Sequence, residues 1–163
     1  TIFDQLKVKN QSRFISIGRL DMDSEGLLLL TNDGDLARKL ELPSTGWLRK
    51  YRVRVHGYVN SKELESLKNG ITIDGIRYGS IDATLDRQQG SNAWVTLGLR
   101  EGKNREIRKV MSHLGYNVNR LIRISFGPFN LKKLSSGELE QVKQRVLNDQ
   151  LGITKSKKQN TIK

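Results

Sequence analysis

The stretch RKYRVRVH, residues 49–56, alternates residue by residue, which constrains the fold more than any other feature of the chain. Tyr51, Val53 and Val55 fall on one side; Lys50, Arg52 and Arg54 fall on the other. Side chains two apart share a face of a β-strand, so this segment, Leu48 to His56, reads as a strand with one buried and one basic face. A strand of that kind needs a sheet, a hydrophobic layer on one side and a reason for cations on the other.

The rest of the chain supplies the layers. Phe14 to Ile17 reads as a short strand, and Leu27 to Leu30 as an apolar strand covered on both faces. Asn32-Asp33-Gly34 gives a turn and a cap for a helix over Asp35 to Leu40, followed by a loop through Pro43 to Gly46. Ser61 is read as the cap of a helix over Lys62 to Asn69, stopped by Gly70. Asp74-Gly75 centres a hairpin over Ile71 to Tyr78. Ile81 to Asp86 and Ala93 to Leu99 follow as strands. Ile107, Val110, Met111 and Leu114 form the apolar stripe of a helix over Asn104 to Leu114, with Arg105, Arg108 and Lys109 along its other side. Strands are expected over Val118 to Ile124 and Leu139 to Val142, then a helix to about Leu151. Helices between groups of mainly antiparallel strands make this an α+β fold, a mixed sheet flanked by helices, with no linker that separates two domains.

Charge narrows the partners. The chain holds 29 Lys and Arg against 17 Asp and Glu, a net +12. The tail, residues 152–163, adds lysines and no acid and reads as disordered, but the excess is spread over the folded part as well. Such a charge draws in polyanions such as nucleic acid. No run is apolar for the length of a membrane span, and no basic amphipathic anchor is present. Cysteine is absent, which removes disulfides, thiolate metal sites and cysteine nucleophiles. His56 and His113 stand far apart in no metal-ligand pattern and read as ordinary surface or strand residues.

Within this basic chain GRLDMDSEGLLLLTNDGD, residues 18–35, places a carboxylate, Asp21, at the mouth of the most hydrophobic segment. Burial beside such a strand would favour the neutral acid, so a cation is expected nearby. Read from residue type alone, Asp21 is first a loop aspartate that caps a backbone turn. Asp23 and Glu25 lie close by, but a two-residue spacing with Asp21 does not define a paired-carboxylate glycosidase, and Asp33 belongs to the turn into the helix.

Three motifs in order resemble the RsuA-like branch of pseudouridine synthases: GRLD with GLLLLTNDGDLA, then RKYRVRV, then EGKNREIRKVMSHLGYNVNRLIRISFGPFNL. The resemblance spans about residues 14–130. It implies a cofactor-free, metal-free isomerase that converts uridine to pseudouridine in RNA. Asp21 matches the catalytic aspartate, as nucleophile on sugar or base or as the base that takes a sugar proton. Tyr51 matches the active-site tyrosine, which could stack on the flipped uracil and help move the C5 proton, although its strand face is also a core face. Arg108 matches the basic partner; it lies beside Met111 at the border of stripe and basic face. Arg19 would fill the gap left by the flipped base or hold phosphate, and Leu121 would pack beneath the uracil or simply in the core. Lys50, Arg105 and Lys109 are assigned to RNA contact.

RLIRISFGPFNL is similar to RluB-like members and DSEGLLLLTN to RluE-like members, both pointing to large-subunit (23S) ribosomal RNA. Members of this branch carry an N-terminal S4-type RNA-binding domain and a strand with a Lys-Pro pair, and neither is in this sequence. The expected organisation is thus an N-terminally incomplete catalytic domain over 1–151 and a tail, acting as a monomer in the bacterial cytoplasm. The competing readings are a small-subunit (16S) enzyme, a non-catalytic rRNA-binding or ribosome-assembly module, and a general polyanion binder.

Overall fold

A computed structural model describes residues 14–42, 45–132, 134 and 137–142. The elements are β1 (Ile15–Ile17), β2 (Glu25–Gly26), β3 (Leu29–Thr31), α1 (Gly34–Glu41), β4 (Arg49–His56), α2 (Ser61–Ser66) with a 3-10 turn over Leu67–Asn69, β5 (Ile71–Ile73), β6 (Ile76–Tyr78), β7 (Ile81–Gln89), β8 (Asn92–Leu99), α3 (Glu106–His113), β9 (Asn117–Phe126) and β10 (Phe129–Asn130). The expected last helix and the tail lie outside the described residues. The segment expected as a strand near Leu139 is irregular where it is described.

The chain divides into two compact units that interleave in sequence. In the smaller, which among the described residues holds 14–19, 28–42, 45 and those from 132 on, β1 and β3 pair antiparallel, and Leu36, Ala37 and Leu40 bury one side of α1. Asp33 caps α1, accepting from the backbone N–H of Asp35 and Leu36, as the sequence indicates. Phe14 and Leu30 form a small core with Leu28 and Leu139 against it.

The larger unit, residues 20–27 and 46–131, is built on a six-stranded sheet ordered β10-β9-β4-β8-β7, with β2 added parallel to β9. The alternation of β4 is realised: Val53 and Val55 are fully buried, while Lys50 and Arg52 are exposed. Their face packs on Leu64 and Leu67 from α2 and its 3-10 extension, and on Ile107, Val110 and Met111 of α3. Asp74 and Gly75 both take positive φ, 50° and 79°, the geometry a tight two-residue hairpin requires between β5 and β6.

Two further expectations change. The cap of α2 is Asn60, whose side chain accepts from Lys62 N–H, one residue ahead of the expected Ser61. The apolar run at Leu27–Leu30 is not one strand. Glu25–Gly26 joins β9, the pairing ends at Leu27, and Leu29–Thr31 pairs with β1 in the other unit. A continuous apolar run satisfies two separate cores as readily as one strand buried on both faces.

Candidate active site

Asp21 sits in the segment that leads into β2, and that segment is held from two directions. On one side a clasp fixes it to β9. Leu27 N–H donates to the Arg123 carbonyl at 2.8 Å, and Arg123 Nε donates back to the Leu27 carbonyl at 2.9 Å. The Arg123 side chain is buried at 1% exposure and its guanidinium lies 5.3 Å from the Phe126 ring centre. The backbones approach so closely that a Cβ on Gly26, whose φ is +110°, would stand 2.2 Å from the Arg123 carbonyl oxygen. Only glycine fits there.

On the other side the loop is tied to the head of α3 by charge. Arg105 grips the Asp23 carboxylate with both terminal nitrogens, at 3.2 and 3.1 Å. Arg108 Nη2 donates to the Asp23 backbone carbonyl at 2.7 Å, and its Nε stands 3.4 Å from Oδ2. Arg105 reaches this position from a left-handed backbone, φ 51°, immediately before the helix, a conformation uncommon for a side chain of this size. The hydrogen bonds from Arg105 hold the Asp23 carboxyl below the usual range; desolvation opposes them, and the charges of Arg108 and Arg105 add to them. The loop closes with Ser24 N–H donating to the Asp21 carbonyl at 2.9 Å.

Asp21 itself is half-buried. Among the described residues its carboxylate has no hydrogen-bond or ion-pair partner. Its charge acts on Arg105, whose guanidinium pKa is raised first by the hydrogen bond to Asp23 and, more weakly, by Asp21. This corrects the expected pairing of Arg108 with Asp21: both arginines close on Asp23, because the tight turn over 21–24 presents the Asp23 side chain and carbonyl to α3.

Tyr51 is half-buried on β4, packed against the main core, with Leu97 and Arg123 as its register partners. Leu121 is buried opposite Val53 and belongs to that core. Lys109 is exposed on α3 and lines, with Arg105, Arg108, His113, Ile73 and Tyr78, a cavity of about 580 Å³. Lys50 is exposed and falls on the opposite side of β4 from Tyr51. Arg19 is exposed at the end of the smaller unit.

Sequence reasoning missed four supports. Asp23, not Asp21, anchors the arginines. Arg123 clasps the loop; its signal was an arginine two residues after Leu121, at core parity on a strand. Arg49 shares the strand side of Tyr51, half-buried, with its guanidinium 4.8 Å from the Phe126 ring centre; desolvation pulls its pKa down. Glu106, the first residue of α3, is 3% exposed. Its Oε1 accepts from Lys103 N–H at 3.2 Å, while Glu106 N–H donates to the Lys103 carbonyl at 3.1 Å, a reciprocal cap. Burial, together with the charge and hydrogen bonding of Glu101, pushes the Glu106 carboxyl up to about 7. Burial alone would raise Glu101 too, but hydrogen bonds from Gly79 N–H, Lys103 and Glu106 hold it below the ordinary range. Burial and the Glu101 charge therefore favour the protonated form of Glu106 on the acid side of about 7, while Glu101 is held toward its ionised form.

An α+β sheet that presents a half-buried acid on an arginine-tethered loop belongs to a class known from solved structures. The fold matches a crystal structure of a pseudouridylate synthase with a TM-score of 0.79 and 26% identity, covering 92% of this chain and 65% of that one. The model of the RNA pseudouridylate synthase family matches residues 1–113, and the chain belongs to that family. Among its relatives, an "Uncharacterized RNA pseudouridine synthase" of Rickettsia felis is 46% identical over 147 residues, 90% of this chain and 63% of that protein. A "Ribosomal large subunit pseudouridine synthase B" of Pseudomonas aeruginosa is 39% identical over 158 residues, 94% of this chain and 41% of that protein. The chain therefore spans under two thirds of the length of these relatives. The resemblance read from the three motifs is borne out at the level of the family.

Proposed function

We propose that the protein isomerises a specific uridine to pseudouridine in ribosomal RNA, with Asp21 as the catalytic group. The observation that carries this reading is the division of labour between two acids two residues apart. Asp23 takes up both arginines and fixes the loop, while the Asp21 carboxylate keeps no partner of its own among the described residues and is free to meet a substrate.

The reaction breaks the N1–C1′ bond, turns the uracil and forms C5–C1′, with the C5 proton ending on N1. Asp21 attacks the sugar or base, or takes a sugar proton, to break the first bond. Tyr51 stacks on the detached uracil and moves the C5 proton. The target base must leave its stack to reach a half-buried acid, and Arg19 fills the space it leaves. Arg108 braces the Asp21 loop through the Asp23 carbonyl, Lys109 and the exposed side of Arg105 reach backbone phosphates, and Leu121 supports Tyr51's strand from within the core. Relatives named for the large ribosomal subunit favour 23S ribosomal RNA as the substrate.

Pseudouridine mapping on unmodified ribosomal RNA treated with the chain, beside an Asp21→Ala control, tests this. A new pseudouridine in 23S RNA made only by the unsubstituted chain is expected. RNA bound equally by both forms, with no product from either the chain or a longer form extended to the length of its relatives, would leave a binding module and end the isomerase reading.

A further inference from the structure

The alternation that turns Tyr51, Val53 and Val55 toward the core turns Lys50, Arg52 and Arg54 to the other side of the sheet. Trp94 of β8 is the register partner of Arg54 and alternates with the buried Ala93 and Val95, so it shares that outer side. The Arg52 guanidinium lies 5.0 Å from the Trp94 ring centre and that of Arg54 lies 5.8 Å from it. Arg87, exposed on β7, is the other register partner of Trp94. On β9, Arg120 is opposite Arg54 and is already paired with Glu25, at 2.9 and 3.0 Å. Arg54 Nε donates to Asn119 at 2.6 Å, and the nearby Asp86 is engaged by the Thr96 hydroxyl. Among the described residues, Lys50 and Arg52 have no carboxylate partner.

Glu25 offsets part of the charge of Arg54, but Arg52 and Lys50 add cations on this face beyond what its carboxylates engage. The same set suits one kind of partner well. An aromatic ring on a flat sheet face stacks a base, and flanking guanidiniums take the phosphates on either side. A folded acidic protein would use the cations and leave the ring idle. We infer that this outer face, centred on Trp94 between Arg52 and Arg54, is a second binding surface that takes single-stranded RNA, on the opposite side of β4 from Tyr51. Lys50 extends it along the strand.

The test uses the chain with Trp47→Phe, which leaves Trp94 as its one tryptophan, titrated with a single-stranded riboadenylate octamer. That probe contains no uridine, so the result stands or falls independently of the isomerase reading. Saturable quenching of Trp94 fluorescence is expected. Arg52→Ala with Arg54→Ala should weaken binding about tenfold and make the slope of log K against log salt shallower by about 1.4, two phosphate contacts on a single strand. Trp94→Leu, read by the anisotropy of an end-labelled octamer because no tryptophan remains, should weaken binding by a similar factor with the salt slope kept. Absence of quenching, unchanged affinity in the folded arginine double variant, or equal quenching by an oligoglutamate of the same charge would each overturn the proposal.

Discussion

Two carboxylates meet the first turn of α3, and they hold it in opposite ways. Asp23 is half-exposed, ionised and gripped by Arg105 and Arg108. Glu106 is buried, shifted toward its neutral form and bonded within the loop that precedes the helix. The first contact is Coulombic in solvent, so salt weakens it and its net contribution is small. The second is desolvated, so salt hardly touches it but a proton does. The difference teaches what each is for. A modest, exposed ion pair joins the Asp21 loop to the helix that carries Arg108 and Lys109, and a buried acid of raised pKa fixes the backbone from which Arg105 projects.

The largest effect expected separates Asp21 from its neighbour. Asp21→Asn should lower kcat by about 10³-fold or more, as loss of a catalytic nucleophile or base does, with RNA affinity retained. Single-turnover assays at saturating RNA would check it, and an Asp21→Asn chain with ordinary turnover would move the catalytic assignment elsewhere. Next comes the clasp on β9. Gly26→Ala forces a Cβ into the Arg123 backbone, and a destabilisation of about 3 kcal/mol or more is expected, with loss of the β2 pairing. A denaturation midpoint close to the parent's would mean that α3 alone holds the loop.

Asp23→Asn should act more gently. It removes the ionic grip of Arg105 but leaves the Arg108 bond to the backbone carbonyl of residue 23. A fall in kcat of roughly tenfold is expected from a loosened loop, smaller than for Asp21→Asn, with little change in unfolding free energy. If Asp23→Asn proves as damaging as Asp21→Asn, the two acids share one task and the contrast drawn here fails. Because Arg105 keeps Asp23 ionised below the usual carboxylate range, this variant should also leave the pH dependence of stability above pH 5 as it was.

How far these anchors could be read in advance depends on the physics each uses. The β4 strand and its two faces were legible because a period of two in eight residues leaves little choice. So were the hairpin at Asp74-Gly75 and the apolar stripe of α3, which local preferences decide. The boundary at Leu27–Leu28 was not, since hydrophobicity says that a segment is buried and not in which core. Asp21 was legible as a motif residue, but its environment was not. Which of two acids receives an arginine depends on a turn whose carbonyls and side chains are placed by contacts nearly a hundred residues away. Glu106 was the least visible. A glutamate in the first turn of a helix usually reads as a solvated charge near the dipole, and only the sheet packed behind it turns it into a buried acid.

That last residue gives the finest test. In the folded chain the Glu106 carboxyl titrates at about 7, against an ordinary value of 4.5. A raised pKa means that the folded state holds the proton more tightly, so this stabilisation is complete below about pH 4.5 and is lost as pH rises through 7. Across that window the loss is at most about 3.5 kcal/mol. Glu101 and Asp23, both held below the ordinary range, change stability on the acid side of the window and leave its upper part to Glu106. The denaturant midpoint of the parent should therefore fall between pH 5.5 and pH 8. Glu106→Gln keeps a donor for Glu101 and an acceptor for Lys103 N–H but carries no titratable proton, so its midpoint should fall less over the same range. The two curves should draw together as pH falls toward 4.5 and lie furthest apart by pH 8, with the variant the more stable. Parallel curves would show that Glu106 is ionised throughout and that the head of α3 is held, like the Asp21 loop, by charge alone.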